Sequence, residues 1–272
     1  MAAKRKLKIA TWNINSVRLR IELVKDLLKS EKPDVLCLQE IKCVNDAFPL
    51  KDFHKAGYEH VAIHGQKGYH GVAIASRIPF TNSDKRDFCN MGDARHVSVD
   101  LDIPGGLTIH NFYVPAGGDE PDRKINEKFG HKLDFLQEMT DWYKAHKKKD
   151  TSRMVLVGDL NIAPLEHDVW DHKKLLKVVS HTPIEVEMME KLIASHSWVD
   201  VMRQFVPADQ KLYSWWSYRA KDWDAADKGR RLDHVWVTPA LKDAAKEMKI
   251  LREARGWERA SDHVPVIVTL AV

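Results

Sequence analysis

The feature that most constrains this fold is a series of short apolar runs, each of which adjoins a carboxylate or an amide. Val35–Leu38 is followed closely by Glu40, and Met154–Val157 is followed closely by Asp159. Further runs adjoin the polar residues Asn13 and Asn15, Asp233, and Asp262 with His263. Short, continuous apolar runs are typical of strands that are buried on both faces. The sequence therefore predicts several buried strands with polar side chains at their ends.

Polar side chains at the ends of buried strands have two interpretations. A single aspartate in such a place is most simply a turn or a strand-end cap. Five such placements in one chain favour a shared site, because α/β folds bind their ligands at the ends of sheet strands. Carboxylates and amides there are costly to desolvate unless they are paired or metal-bound. We therefore expect the five placements to meet at one rim.

Strands and helices alternate along the chain, which indicates the α/β class. Val17–Leu28 has helical spacing behind an N-cap predicted at Ser16, and Ile125–Tyr143 predicts one long helix. A third helix is predicted at Ile184–Ser195. The predicted strands are Leu7–Trp12, Val35–Leu38, His60–His64, Gly71–Ser76, His96–Leu101, Leu107–Val114, Met154–Gly158, Leu232–Val237, Met248–Leu251 and Val264–Leu270. Because some strands adjoin as hairpins, we expect mixed sheets.

No linker rich in proline, glycine or serine divides the 272 residues. We therefore predict one domain over residues 1–272, with residues 1–6 as a flexible basic tail. The net charge of +4 permits an anionic partner without requiring one. The three cysteines form no CxxC pair, which argues against a zinc site. No secretion signal or membrane-spanning run is visible, so we expect a cytoplasmic protein that does not bind membranes.

The predicted polar cluster has the chemistry of a magnesium site. Carboxylate and amide oxygens suit Mg²⁺ or Mn²⁺, and no thiolate lies among them. A cation held in this way usually also binds substrate phosphates, which indicates phosphate chemistry. Asp159 can act as a general base if its surroundings raise its pKa. A lone histidine is usually structural, but His263 follows Asp262 directly, and Asp233 can orient its imidazole.

Six short motifs occur in order along the chain: Thr11–Asn15, Leu38–Lys42, Asn111–Pro115, Gly158–Asn161, Arg231–His234 and Ser261–Pro265. Together they resemble the exonuclease III family of abasic-site (AP) endonucleases, part of the wider endonuclease/exonuclease/phosphatase superfamily. Each motif alone is weak, whereas six in order with compatible spacing are specific, and the resemblance covers nearly the whole chain. It implies a four-layered α/β sandwich like that of deoxyribonuclease I, with two packed mixed β-sheets flanked by helices.

The resemblance also implies a reaction. Such an enzyme is a Mg²⁺-dependent hydrolase of base excision repair that cuts the DNA backbone 5′ to an abasic site, and Mn²⁺ is expected to substitute. Family members often add 3′→5′ exonuclease, 3′-phosphodiesterase or 3′-phosphatase activity. The implied partner is double-stranded DNA with abasic sites or blocked 3′ ends, bound by a monomer. In a bacterium, the implied location is the nucleoid-associated part of the cytoplasm.

The family pattern assigns the metal side of the site. Glu40 is the main Mg²⁺ ligand by this pattern, with Asn15 and Asp262 near it. Asn13 organises this side and orients Asp159. Asn13, Asp159 and Asn161 are also counted among the residues that hold the metal. Whether one or two metal ions act stays open.

The same pattern assigns the phosphate side. Asn161 is expected to hold the scissile phosphate, and Tyr113 to contact it or assist the leaving group. His263, paired with Asp233, is expected to bind the phosphate oxygens and stabilise the transition state. The base is Asp159 or His263, and we prefer Asp159.

Substrate choice must come from outside these motifs, because relatives with the same core act on other phosphate esters. Lys211–Arg231 interleaves aromatic and cationic side chains, a pattern typical of nucleic-acid binding. By the resemblance, Trp215 lines the pocket for a flipped-out sugar, and an abasic nucleotide has little stacking to lose. The predicted DNA contacts are Lys67, His70, Trp215, Arg219, Arg230 and Leu232, with Arg95, His172, Lys173 and Lys174 as further candidates. The competing interpretation is core aromatics, Trp216 and Tyr218 above all, and solvated surface charges.

The chain departs from the family pattern at two positions, and two alternative functions stay open. Ala116 stands where family members often carry an amide, and Arg230 stands where the human-type enzyme has a pocket tryptophan. The pocket is therefore expected to be more open or more polar. The first alternative is a phosphatase or lipid phosphodiesterase of the same superfamily. The second is a non-catalytic DNA- or partner-binding module on the same scaffold.

Overall fold

The computed structural model describes residues 5–146 and 151–272. Two sheets of six strands and one of two strands carry the fold. The first sheet contains, in spatial order, β13 (Ala245–Ile250), β14 (Val266–Ala271), β1 (Lys6–Asn13), β2 (Val35–Gln39), β4 (Val72–Ser76) and β3 (His60–His64). The second contains β5 (Phe80–Asp84), β6 (His96–Leu101), β7 (Leu107–Tyr113), β8 (Met154–Asp159), β12 (Asp233–Val237) and β9 (Val199–Asp200). The small sheet pairs β10 (Trp215–Trp216) with β11 (Gly229–Arg230).

Seven α-helices occur in the described residues. They are α1 (Ile21–Ser30), α2 (Leu50–Lys55), α3 (Glu127–Ala145), α4 (His172–Leu175), α5 (Pro183–Ser195), α6 (Val201–Phe205) and α7 (Trp223–Ala226). Short 3₁₀ turns occur at Asn45–Ala47, Phe88–Asn90, Glu166–Asp168, Pro239–Leu241 and Arg252–Gly256. Both large sheets are mixed, because β1 and β2 pair in parallel, as do β7 and β8, next to antiparallel neighbours.

Alternate residues of the central strands fill different layers of the molecule. In β1, Leu7 and Ile9 lie in the core shared by the two sheets, whereas Trp12 packs toward α1 and α2. In β8, Val155 joins the shared core, whereas Leu156 packs with α3 and α5. Because successive strand side chains point to opposite faces, each sheet is covered by the other sheet and by helices. This arrangement confirms the four-layered sandwich with two mixed sheets.

The central strands also explain why the site forms where it does. β1, β2, β7 and β8 end at the same rim, and β12 begins there because it runs antiparallel to β8. Between the sheets, just behind this rim, Gln39 Nε2 donates to Asn111 Oδ1 at 2.6 Å and to Thr11 Oγ1 at 2.9 Å. Asn111 Nδ2 in turn donates to the carbonyls of Leu38 and Ala73. These buried amides fix the two sheets against each other next to the polar rim.

The predicted N-cap at Ser16 is wrong. Ser16 has a φ of 86°, and α1 begins only at Ile21, behind Arg20. The backbone N–H of Ser16 instead donates to the carbonyl of Glu40 at 2.8 Å, and Val17 donates to the carbonyl of Ile41. Residues 14–17 therefore pair with the segment after β2, and this tertiary contact outweighs the helical pattern.

Other boundaries differ by smaller amounts. Asn126 caps α3, so Ile125 precedes the helix and is exposed. β5 was not predicted, because its side chains are mostly polar and exposed and show no apolar pattern. Residues 1–4 of the predicted flexible tail lie outside the described residues, but the tail does not extend to residues 5 and 6. Arg5 exchanges backbone hydrogen bonds with Val272, and Lys6 begins β1.

Candidate active site

Three of the five polar placements predicted from strand ends line one cleft of about 510 Å³, and the other two, at Asn13 and Asp233, lie beneath it and bond to Asp159 and His263. Both large sheets contribute to it. Its floor is lined by Glu40, Tyr113, Asp159, Asn161, Asp262 and His263, and its walls by Ala116, Gly118, Asp119, Trp170, Val178, Val179, Ser180, Trp215, Ser217, Arg219, Lys228, Arg230 and Leu232. A second concavity of about 690 Å³ lies between α1 and α2 at the far end of the first sheet and contains none of the predicted residues. The residues predicted to be catalytic therefore lie in or directly beneath one cleft.

Asn13 joins the two sheets beneath the cleft. It is fully buried, and its Nδ2 donates to Glu40 Oε1 at 2.9 Å and to Asp159 Oδ2 at 2.8 Å. Its Oδ1 accepts the backbone N–H of Asn15 at 3.1 Å. Asn13 thus orients both carboxylates, while its own oxygen is engaged by the backbone.

Glu40, Asn15 and Asp262 form a connected group on one side of the floor. Lys42 Nζ lies 2.9 Å from Glu40 Oε2 and donates to Asn15 Oδ1 at 2.5 Å. Asn15 Nδ2 donates to Asp262 Oδ1 at 3.1 Å, and Trp215 Nε1 donates to Asp262 Oδ2 at 3.0 Å. Asn15 and Glu40 have φ values of 47° and 50°, a left-handed conformation uncommon outside glycine. Sharp turns directly after β1 and β2 therefore aim these side chains into the cleft.

This group suits a hard divalent cation. Its donors are carboxylate and amide oxygens, and none of the three cysteines lines the cleft. Burial opposes ionisation of Asp262, but His263 and the hydrogen bonds from Trp215 and Asn15 hold the pKa of its carboxyl below the ordinary value. Asp262 therefore stays a carboxylate and can bind a cation.

Asp159, His263 and Asp233 form a second group with ligand-type atoms within 4.8 Å of one another. His263 Nδ1 lies 2.8 Å from Asp233 Oδ2, and His263 Nε2 lies 3.6 Å from Asp159 Oδ2. Burial lowers the pKa of His263, but the two carboxylates overcome this effect and raise it to about 10. When its imidazole is protonated, His263 can donate to a phosphate oxygen, and the three side chains also offer ligand atoms that could hold a cation.

Asp159 is almost fully buried at the end of β8. Its Oδ1 accepts the backbone N–H of Asn161 at 3.0 Å, and its Oδ2 accepts from Asn13. Burial raises the pKa of Asp159 to about 7, although nearby His263 opposes the rise. A carboxylate with a pKa near neutrality is suited to take up a proton during a reaction.

Asn161 and Tyr113 close the floor on the other side. Asn161 has a φ of 54°, and its Nδ2 donates to the carbonyl of Val114 at 2.9 Å, so one amide N–H remains for a ligand. The ring of Tyr113 lies 4.9 Å from the guanidinium carbon of Arg95. Burial, with Glu40 and Asp159 nearby, raises the pKa of Tyr113 well above its ordinary value, so its hydroxyl remains a donor.

The walls carry aromatic rings and cations. The guanidinium carbon of Arg230 lies 5.2 Å from the centre of the Trp215 ring, and Arg230 also donates to the Val179 carbonyl and Ser180 Oγ. On the same cleft, the ring of Trp170 lies 5.0 Å from Lys228 Nζ. Arg230 thus makes this wall polar, as predicted, but its contacts fix it in place. Leu232 is buried beside these residues.

Several predicted DNA contacts lie away from the cleft lining. Lys67 is exposed in the 65–71 turn, and His70 is half-buried with its Nε2 3.6 Å from Asp93. Arg95 is buried and paired with Asp93 at 2.9 Å, so it is not a surface cation. His172 and Lys174 lie on α4 near Trp170. His172 contacts His181, and Lys173 on the same helix is exposed.

Within Lys211–Arg231, Trp216 and Tyr218 both follow the structural interpretation. Trp216 is buried, and its Nε1 donates to Asp227, so it belongs to the core. Tyr218 is half-exposed, and its hydroxyl donates to the Ala260 carbonyl and accepts from Arg20. These contacts brace the segment next to Asn15, so both aromatics have structural partners.

Three site residues were not assigned a role from the sequence. Lys42 belongs to the Leu38–Lys42 motif, so its place in that motif was a signal. Lys132 falls in the apolar stripe of α3, where a charged residue indicates a buried partner. Trp170 gave no signal of its own, because its exposure on the cleft depends on the loop fold.

Comparisons with known proteins agree with this geometry. Residues 10–263 match the Endonuclease/Exonuclease/phosphatase family. Exodeoxyribonuclease III from Haemophilus influenzae is 31% identical, and the alignment covers 96% of this chain and 98% of that protein. The structure of an AP endonuclease from Archaeoglobus fulgidus superposes with a TM-score of 0.89 at 32% identity, covering 98% of this chain and all of that one. A Neisseria 3′ phosphatase bound to a product DNA hairpin gives 0.87 at 30% identity, covering 97% and 99%. Across residues 5–146 and 151–272, no helix combines the length and apolarity needed to span a bilayer.

Proposed function

The chain belongs to the Endonuclease/Exonuclease/phosphatase family, and we propose that it is a DNA repair phosphodiesterase that cuts the backbone 5′ to abasic sites. We further propose 3′→5′ exonuclease, 3′-phosphodiesterase or 3′-phosphatase activity at the same site. The observation that carries the proposal is the convergence of Glu40, Asp159, Asn161 and His263 on one cleft. Its relatives include an exodeoxyribonuclease, an AP endonuclease and a 3′ phosphatase that binds DNA, which supports DNA as the substrate.

The metal side is assigned to Mg²⁺, for which Mn²⁺ is expected to substitute. Glu40 and Asp262 would hold the cation, with Asn15 beside them and Lys42 balancing their charge. A divalent cation held there supplies positive charge that stabilises the charge developing on the phosphoryl and leaving oxygens. Asn13 keeps Glu40 in place for this role through its bond to Oε1.

We assign the activation of the attacking water, by removal of its proton, to Asp159. This carboxylate is oriented by Asn13 and the N–H of Asn161, and its raised pKa matches a base that works near neutral pH. His263 is the weaker candidate, because Asp233 and Asp159 raise its pKa and keep it protonated. An imidazolium is an acid and a hydrogen-bond donor, so we assign His263 to a phosphoryl oxygen.

The remaining donors complete the oxyanion environment. The free N–H of the Asn161 amide and the hydroxyl of Tyr113 both face the cleft, close to Asp159. Preorganised donors in a water-poor site stabilise transition-state charge without reorganisation. Tyr113 is also placed to assist the leaving oxygen, since its raised pKa keeps the hydroxyl protonated.

The substrate is proposed to be double-stranded DNA with abasic sites or blocked 3′ ends, bound by a monomer in the cytoplasm. Trp215, Arg230 and Lys228 give the cleft wall both rings and positive charge, which suits a sugar–phosphate backbone. Arg219 adds an exposed cation to the same wall. The main alternative is a phosphatase or lipid phosphodiesterase, since that chemistry needs the same floor without this wall.

A gel assay tests the proposal. An end-labelled duplex carrying one abasic analogue is incubated with Mg²⁺, with EDTA, or with EDTA followed by excess Mg²⁺. We expect one incision 5′ to the lesion, lost with EDTA and regained with Mg²⁺. Asp159→Asn and Glu40→Ala should each be strongly impaired, whereas Asp243→Asn, an exposed aspartate far from the cleft, should cut like the wild type.

The same experiment separates the alternatives. An undamaged duplex with a recessed 3′ end reports exonuclease activity, and a 3′-phosphate end reports phosphatase activity. Parallel incubations with phosphoinositide and sphingomyelin test the other esters. Faster turnover of either lipid than of abasic DNA would replace this proposal, and DNA binding without Mg²⁺-dependent cutting would reduce the chain to a binding module.

A further inference from the structure

A fully buried ion pair lies directly behind the cleft. Lys132 on α3 and Glu185 on α5 have no exposed side-chain surface. Lys132 Nζ donates to Glu185 Oε1, to the backbone carbonyl of Asn161 at 2.8 Å, and to the backbone carbonyl of Ala116 at 3.3 Å. An ammonium has three N–H groups, so each is used. Two of the three hold the backbone of loops that line the cleft.

Glu185 binds backbone groups of the opposite wall. Its carboxylate accepts the backbone N–H of Ser180 at 2.9 Å and that of Thr182 at 3.1 Å, and the hydroxyl of Thr182 at 2.7 Å. Ser180 lies in the segment that lines the cleft before α5. Arg230 donates to this same segment, at the carbonyl of Val179 and Ser180 Oγ. The carboxylate therefore fixes the loop on which Arg230 rests.

The stem of Lys132 is also fitted to its surroundings. Gly117 lies beside it with a φ of 91°, and a Cβ at this position would lie 2.9 Å from Lys132 Cδ and 3.0 Å from Val179 Cγ1. A side chain at residue 117 would therefore push the lysine away from the two carbonyls. The loop at Gly117, the side chain of Lys132 and the wall at Val179 therefore pack against one another.

We infer that Lys132 and Glu185 are positioning residues for the active site, holding the Asn161 loop and the Ser180 loop at a fixed separation across the cleft. Asn161 is the residue most affected, because its carbonyl is bonded to Lys132 and its side chain carries the N–H assigned to the phosphate. Small displacements of such groups reduce turnover strongly, by roughly 100-fold for about 1 Å. This inference rests on the proposed function, because turnover is its readout.

Breaking this ion pair would lower the stability of the fold as well as turnover, so the test must separate a loss of Tm from a loss of kcat. Removing one partner leaves an uncompensated buried charge, whereas replacing both with apolar residues of similar size is often neutral for stability. Lys132→Met should therefore lower both Tm and kcat. Lys132→Met with Glu185→Leu removes the uncompensated charge but leaves buried N–H and C=O groups of both loops without partners, so it should regain only part of the Tm. Its kcat should stay reduced by roughly 10- to 100-fold, because neither residue can bond the loops.

A second variant tests the position of the lysine without removing any charge. Gly117→Ala should displace Lys132 and lower kcat with little change in KM. Gly57→Ala is its matched control, because Gly57 has a φ of 86° and open space around it. Both variants place a side chain at a residue with positive φ, so they add a similar backbone strain. Only the alanine at residue 117 would contact Lys132 of the ion pair. Gly57→Ala is expected to keep the wild-type kcat.

The variants are compared on abasic duplex by kcat, KM and Tm, with rates corrected for the folded fraction. Wild-type kcat in the double variant, or equal kcat in Gly117→Ala and Gly57→Ala, would overturn the inference. If the double variant does not fold, the glycine pair decides. Failure of the wild type to cut abasic DNA would instead refute the proposed incision, and the same ratios of variant to wild type would then be taken on whichever 3′-end or phosphate-ester substrate the wild type turns over.

Discussion

The floor of the cleft and its Trp215–Arg230 wall are built on different principles. On the floor, Asp159, Asp233 and His263 are at most 4% exposed and are held by short contacts to one another and to Asn13. On the wall, Trp215 is half-buried and Arg219 is exposed. The floor is therefore preorganised for chemistry, whereas the wall combines two held groups, Trp215 and Arg230, with exposed cations that can follow a large partner.

This difference separates the effects expected from mutation. Groups that stabilise charge only during the reaction affect kcat, whereas groups that bind substrate and transition state alike affect KM. Floor substitutions should therefore act on kcat, and wall substitutions on affinity and its dependence on salt. The predictions below test whether the two regions can be separated in this way.

Asp233→Asn is expected to give the largest effect. An asparagine cannot supply the negative charge that helps to raise the pKa of His263 to about 10, so the imidazolium and its orientation are lost. We expect kcat to fall by about 10³, within the usual range for a misplaced acid–base group, with KM almost unchanged. Steady-state kinetics on abasic duplex measure this. Asp102→Asn, an exposed aspartate remote from the cleft, is the control.

If the loss in Asp233→Asn appeared mainly in KM, His263 would be a binding group and not a transition-state donor. The boundary between floor and wall would then have to be redrawn to place His263 with substrate recognition. A kcat equal to that of the wild type would remove Asp233 from the mechanism altogether.

Trp215 belongs to both regions and gives an intermediate effect. Its ring lies beneath Arg230, while its Nε1 holds the metal-side carboxylate Asp262. Trp215→Phe keeps a ring and removes the N–H, so the Mg²⁺ concentration for half-maximal activity should rise by about tenfold, as for other groups that orient metal ligands. Trp215→Ala also removes the ring and should raise KM by roughly tenfold more.

The two Trp215 variants serve as controls for each other. A Mg²⁺ titration at saturating DNA reports the N–H, and a DNA titration at saturating Mg²⁺ reports the ring. If Trp215→Phe raised KM as much as Trp215→Ala did, the indole N–H, and not the stacked ring, would be the group that matters for DNA.

The floor residues could be predicted from the sequence because each of them adjoins a strand that is recognisable from its own apolar run. A carboxylate directly after a buried strand lies at the sheet end, and the parallel order of β1 with β2 and of β7 with β8 brings those ends together. The motif resemblance then supplied the roles. The predictions for Asp159, Asp233 and His263 needed only the strands to be recognised, and the structure does bring these residues together.

The predicted DNA contacts were harder to place because the partners of these residues are distant in the chain. Arg95 was predicted to be a surface cation, but it is buried against Asp93 and Tyr113. Arg230 is held by residues about fifty positions away in the chain. Ser16 shows the same limit, since its pairing with Glu40 overrides a helical pattern. Local spacing predicts which elements form, but long-range pairing decides which polar residues stay free for a ligand.

Arg219→Ala should give the smallest effect and the clearest signature of the wall. Arg219 lines the cleft but is exposed, so it is expected to neutralise one phosphate without fixed geometry. Its loss should weaken DNA binding a few-fold at moderate salt and reduce the slope of log K against log salt by about one. Lys51→Ala, an exposed cation on α2 away from the cleft, should leave the slope unchanged. Equal slopes for both variants would mean that Arg219 contacts no phosphate, and the positive charge of the wall that DNA meets would then have to come from the half-buried Arg230 and the exposed Lys228.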